Sequence, residues 1–177
     1  ASLPEEPLPG ETPSEQALRL AEAKGRAVAA ALADGGLPSV VLAADTIVVT
    51  DGNPMGKPAS PDEAREMLRR LSGRAHEVWP GVWLGRTDDG RSASLVERSR
   101  VRFHSCPESV VRWYVSTGEP MDKAGAYGIQ GAGAALVAGI QGDYFNVVGL
   151  PVPLLLDLLQ SAGHPYRFGP LPGGGGR

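Results

Sequence analysis

Asp45 stands inside Val41-Leu42-Ala43-Ala44-Asp45-Thr46-Ile47-Val48-Val49, a run whose other members, Thr46 apart, are all apolar. A carboxylate removed from water without a partner costs several kcal/mol. It therefore either accepts hydrogen bonds from a neighbouring loop or faces a site that holds a cation, and the sequence leaves both open. Lys24 is a second misfit. On its stretch Glu15, Arg19, Glu22 and Arg26 share one helical side, whereas Lys24 lines up with Leu20 and Val28 along the edge of the apolar stripe. It is either a snorkelling lysine or a cation aimed into a site. Lys57 projects from the tight turn Gly56-Lys57-Pro58, as an ordinary surface lysine or as a further member of such a site.

The segment Met121-Asp122-Lys123-Ala124-Gly125-Ala126-Tyr127-Gly128-Ile129-Gln130-Gly131 adds glycines at 125, 128 and 131 and one uncharged amide, Gln130. Glycine is disfavoured inside helices and strands, so this density means either a tight structural turn or a loop whose backbone approaches a ligand closely. Two lysines, a carboxylate in an apolar strand and an amide on a shaped loop fit a small polyanion carried by a group that an amide can read. A nucleotide with a magnesium ion is the economical choice.

Other chemistries lack their residues. His76, His104 and His164 show no ligand spacing, which argues against zinc. The chain has no Walker A loop, dinucleotide fingerprint or Gly-x-Ser-x-Gly elbow. A formal net charge of −3 argues against a nucleic-acid partner. A single cysteine, Cys106, excludes an intrachain disulfide framework and fits a reducing, cytoplasmic setting. No apolar run is long enough for a bilayer and no signal-peptide pattern is present, so a soluble protein without a membrane partner is expected.

The elements that must position these residues alternate in type. Thr12-Pro13-Ser14-Glu15 opens a helix with a capping box, expected to reach about Asp34 and stop at Gly35-Gly36. Val40 to Val49 reads as a strand covered on both faces, followed by a turn at Asp51-Gly52-Asn53-Pro54. Ser60-Pro61-Asp62-Glu63 opens a second helix ending at Ser72-Gly73. Strands over 76–84 and 92–103 form a hairpin hinged at Asp88-Asp89-Gly90, with Arg98, Arg100 and Arg102 on a solvated face. A helix over 107–116 precedes the glycine-rich loop, and 134–138 with 144–148 reads as a strand pair. The last helix is expected over 151–162, and the tail 170–177 as disordered. Strands mixed with helices at this spacing predict one α/β layer domain over 1–169.

Taken together, Leu20-Ala21-Glu22-Ala23-Lys24, Ala44-Asp45-Thr46-Ile47-Val48, Gly56-Lys57-Pro58, Met67–Arg74, Met121–Gly131 and Gly142–Pro151 run through nearly the whole chain. In that order they resemble the Maf family of nucleoside triphosphate pyrophosphatases, in particular its dTTP- and UTP-hydrolysing subgroup. The resemblance implies an α/β fold with a mixed twisted sheet flanked by helices and an active site in a central cleft. It implies that Asp45 is the catalytic acid that accepts a proton, that Lys24 and Lys57 bind phosphates, and that Thr46 and Gln130 bear on base selectivity. It puts Glu5, with Glu6 one step away, at the functional glutamate, and implies magnesium or manganese held by Asp45 and Glu5. A nucleoside triphosphate is the implied partner, and a homodimer is compatible with the family. A non-catalytic nucleotide-binding regulator of septum formation and a broader sanitiser of modified nucleotides are the alternatives.

Departures from the family pattern also stand out. Its opening strand and Ser-x-Ser-Pro-Arg-Arg loop have no counterpart here, so about two further elements are expected upstream in the gene. Pro80 replaces a usual threonine, and Gly25 a usual alanine.

Overall fold

The computed structural model describes residues 5–33 and 38–166. Helix α1 (Pro13–Ala33) is followed by β1 (Val40–Thr50), β2 (Asn53–Met55), α2 (Pro61–Leu71), β3 (Ala75–Arg86), β4 (Ser92–Val96) and β5 (Ser99–Phe103). Then come α3 (Glu108–Ser116), short 3-10 turns over Glu119–Asp122, Ala124–Ala126 and Ala132–Leu136, β6 (Val137–Gln141), α4 (Tyr144–Val148) and α5 (Val152–Ser161). The expected helix stop at Asp34–Gly36 and the tail 170–177 lie outside the described residues. No described helix is long and apolar enough to cross a membrane.

Local chemistry starts both long helices as expected. The Thr12 amide donates to Glu15 Oε2 (2.8 Å) and the Glu15 amide to Thr12 Oγ1 (3.3 Å), a reciprocal capping box on α1. Ser60 Oγ accepts from the Glu63 amide at α2 (3.2 Å), while Glu63 reaches back to the Ala59 amide (2.7 Å).

The sheet runs β2-β1-β3-β5-β6, with β4 also on β3, and every neighbouring pair is antiparallel. Helices flank it, so the architecture is mixed α/β as expected. The 92–103 segment does fold back on β3, but as two strands. The break falls opposite Pro80, which has no amide hydrogen to offer a partner. On β5, Val101 and Phe103 are buried, and Arg100 and Arg102 are exposed. Arg98 pairs with Glu77 (3.2 Å), so the arginine row is a solvated face.

Two expectations are corrected. Tyr144–Val148 is helix α4, capped by Asp143, whose carboxylate accepts from the Phe145 amide (2.9 Å). Its strand-type side chains are not what is buried: Tyr144 and Phe145 are exposed, whereas Asn146 is fully enclosed and donates to Ser99 Oγ (3.1 Å), which anchors the turn of helix. The strand of this region is 137–141, paired to β5. The second correction concerns β1, which is covered on both faces only in its later half. Val40 and Leu42 are each 42 % exposed, because α5 packs over the neighbouring strands β3 and β4, covering Val82, Leu84 and Leu95 instead of the start of β1.

Helix α1 lies very close to the sheet, and two glycines permit it. A Cβ at Gly81 would stand 2.4 Å from the Ala17 backbone, and one at Gly25 would stand 2.1 Å from the Trp83 ring. Gly81 is the register partner of Asp45 on β1. The close approach therefore brings α1 over the strand position that carries the carboxylate.

Candidate active site

Gln16, Leu20 and Lys24 recur at four-residue spacing and so share one face of α1. That face, β1 at 45–47, the β2 strand with Gly56 and Lys57, and Glu63 and Met67 of α2 enclose a cleft of about 600 Å³. Leu20 is buried at 1 % exposure and Val28 is half exposed, so the apolar stripe leaves the core at Lys24. The Lys24 ammonium bonds Asp45 Oδ1 and lies 3.4 Å from Glu5 Oε1. Burial is the largest single influence on Lys24 and pushes it towards losing its proton, but the bonds to and negative charges of Asp45 and Glu5 together outweigh it, so the ammonium sits above its ordinary pKa. Asp45 is mostly enclosed and Glu5 mostly exposed.

Glu5 is held there by α1. Gln16 Nε2 donates to the Glu5 carbonyl (2.9 Å), and Arg19 donates to the Glu6 carbonyl (3.1 Å) while gripping Glu11 (2.5 and 2.9 Å). Both Glu5 and Glu6 line the cleft, and Glu5 is the one that reaches Lys24. Lys57 lines the opposite wall and makes no ion pair among the described residues. Its turn is tied to the glycine-rich loop, for the Gly125 amide donates to the Gly56 carbonyl (3.0 Å).

Thr46 also lines the cleft, but as Asp45's neighbour on a strand it belongs to the other sheet face. Its hydroxyl lies 3.3 Å from where a Cβ on Gly149 would be. Gln130 is elsewhere. It lines a second depression of about 390 Å³ with Glu119, Lys123, Tyr127, Ile129, Val147 and Val148. The cleft and the depression share no residue; Ala124 lines the first and Lys123 the second, so the loop runs from one to the other. Each has the size of a small-molecule site, about 300–1,000 Å³.

The family model described as Maf-like protein matches residues 1–162. The chain belongs to the Maf family. This Maf chain is 50% identical over 159 residues to a protein of Symbiobacterium thermophilum named dTTP/UTP pyrophosphatase, covering 90% of this chain and 79% of that one. Proteins of the same name from Moorella thermoacetica and an Anaeromyxobacter species are 51% and 47% identical over 147 and 174 residues. These cover 83% and 94% of this chain, and 74% and 81% of theirs.

Several supporting residues of the Maf chain escape a linear reading. Gln16 had a signal, its spacing with Leu20 and Lys24. Glu119 and Tyr114 had none, because apart from each other their partners are the backbone amides of Gly128, Ala132 and Gly133. The Glu119 carboxylate is desolvated, which raises its pKa, but the Gly133 and Ala132 amides and the Tyr114 hydroxyl hold it below its ordinary value.

Beneath the depression, His76 Nε2 meets the Tyr127 hydroxyl (2.8 Å), and the ring packs edge-on against Phe103 and Tyr127. Among the described residues its Nδ1 has no hydrogen-bond partner. Burial pushes the imidazole down to about 4 from an ordinary 6.5, so it is neutral in the fold. A base whose folded pKa is depressed contributes stability that is fully present above 6.5 and is lost as pH falls towards 4. His76→Gln keeps a partner for Tyr127 and removes the titration. The parent is expected to lose about 3 kcal/mol more than this variant between pH 7 and pH 4. Urea unfolding at several pH values measures it, and equal pH slopes would refute it.

Proposed function

We propose that this chain is an enzyme that hydrolyses dTTP and UTP between the α- and β-phosphates, giving the monophosphate and pyrophosphate. It would act on free nucleotides in the cytoplasm. The carrying observation is that Asp45 and Glu5 converge on one cationic point, the Lys24 ammonium, in a cleft that also presents Lys57. The names of the relatives support the same substrates.

On this reading a water attacks the α-phosphorus in line with the bond to the β-phosphate. A new P–O bond forms, Asp45 accepts the water's proton, and the bridging bond breaks with its electron pair leaving on pyrophosphate. Lys57 and Lys24 bind the leaving phosphates and offset the charge that develops there, which is the main protein contribution in phosphoryl chemistry. Lys24's raised pKa keeps it charged for that role.

The donor set fits magnesium or manganese: two hard carboxylate oxygens already share one cation, and the described residues bring no third acidic or imidazole ligand to them. Magnesium characteristically takes one or two carboxylates and completes its shell with water and substrate phosphate. Asp45 and Glu5 would hold it, and when bound it would supply Lewis acidity to the phosphate oxygens.

A panel of nucleoside triphosphates, assayed separately for pyrophosphate and orthophosphate, tests the proposal. Pyrophosphate release with dTTP and UTP as the best substrates is expected. Orthophosphate alone would refute the bond assignment. Tight nucleotide binding without turnover would favour a binding regulator.

A further inference from the structure

Glu119 follows Gly118, which adopts a left-handed backbone (φ 76°), and leads into the short turn Glu119–Asp122. That geometry aims its carboxylate under the glycine-rich loop. Oε2 accepts from the Ala132 amide (2.8 Å), while Oε1 accepts from the Gly133 amide (3.1 Å) and from the Tyr114 hydroxyl (2.8 Å). The Tyr114 oxygen in turn accepts from the Gly128 amide (3.0 Å). One carboxylate and one phenol thus grip the loop on both sides of Gln130.

The glycines are the other half of the fit. A Cβ at Gly131 would stand 2.3 Å from Glu119 Oε2. One at Gly133 would stand 2.6 Å from the Tyr114 oxygen and 2.5 Å from the Gly128 carbonyl. The loop therefore closes onto the carboxylate only because no side chains intervene. Tyr114 is fully buried, and burial raises its hydroxyl pKa, so it remains a donor at neutral pH.

We propose that Glu119, acting with Tyr114, is a positioning residue for base selection, fixing the backbone of residues 128–133 so that Gln130 presents its amide in one orientation. This rests on the reading of Gln130 as the residue that reads the base. Charge-assisted bonds to two adjacent amides define a loop position more tightly than neutral ones do. A misplacement of about 1 Å at a reading group is enough to weaken discrimination strongly.

The test is the ratio of kcat/KM for dTTP to that for dCTP. A merely structural defect lowers the folded fraction and scales both substrates equally, leaving the ratio unmoved. Glu119→Gln replaces one acceptor oxygen with an NH2 group facing the loop amides, and should lower the ratio about tenfold. Tyr114→Phe keeps the ring packing and deletes the link to Gly128; it should lower the ratio about threefold, and it decides the matter if Glu119→Gln does not fold. In a Gln130→Leu background, adding Glu119→Gln should lower the ratio no further.

A parent-like ratio in Glu119→Gln or, failing its folding, in Tyr114→Phe overturns the proposal, whatever happens to thermal stability. If Glu119→Gln lowers the ratio while Gln130→Leu leaves it unchanged, the loop positioning stands and Gln130 is not the reader.

Discussion

Asp45→Asn is expected to lower kcat by on the order of 10²-fold or more while leaving the protein folded. The substitution keeps the shape of the side chain. It removes one of the two charges that converge beside Lys24 and, on the proposed mechanism, the proton acceptor. The fold tolerates this because the cleft is open: Lys24 is 37 % exposed and Glu5 remains beside it, so the ammonium keeps water and one carboxylate. An ion pair with that much solvent contributes on the order of 1 kcal/mol or less. The introduced amide can still accept from Lys24 through its carbonyl oxygen. Steady-state pyrophosphate release and the thermal midpoint, measured on the same preparation, separate the two effects. Activity within a few-fold of the parent would remove Asp45 from the mechanism. A collapse of the midpoint would instead make it a structural residue.

What can be read from the chain alone follows from the range of the interactions involved. The capping boxes at Thr12 and Ser60 operate over three residues, and both helices begin where those residues require. The β5 arginines likewise follow a local period of two. Asp45 and Lys24 are each legible as misfits, because each breaks an apolar pattern within its own element. That they meet is not legible, since it depends on how closely α1 descends onto β3, which Gly81 and Gly25 decide. Gly25, odd in sequence, is explained by the Trp83 ring that fills the space of a side chain there.

The misreadings share a cause. Tyr144–Val148 carries a strand-like composition, yet Asp143 caps it and Asn146 is buried against Ser99, so tertiary context overrides propensity. Chemical meaning groups Gln130 with the lysines in a linear reading. A loop has two sides, however, and nothing in the residue order says which side faces the cleft. Glu119 is invisible in the sequence because its function is to accept bonds from amides, and amides have no signature there.

Gln130→Leu is expected to flatten the preference for dTTP and UTP over other nucleoside triphosphates. Gln130 is exposed in its depression beside Tyr127, Ile129, Val147 and Val148, so an apolar wall stands next to a single neutral amide. Such an amide accepts through its oxygen and donates through its nitrogen, and can meet both the N–H and the carbonyl edge of uracil or thymine. Cytosine reverses part of that edge, and a purine needs more room. The wrong base leaves polar groups unpaired, at roughly 1–3 kcal/mol each, which corresponds to between fivefold and more than a hundredfold in kcat/KM. Leucine at this position fills a similar volume without either bond. It should therefore lower kcat/KM for dTTP and UTP by that factor and leave the poor substrates nearly unchanged. The separation of the depression from the cleft sharpens the expectation, because Gln130→Leu touches none of Asp45, Lys24 or Lys57. Bond cleavage should still occur between the α- and β-phosphates, with pyrophosphate as the product. A uniform loss across all bases would mean that Gln130 supports the fold of the loop, and equal turnover of ATP or GTP by the parent would remove the pyrimidine preference itself.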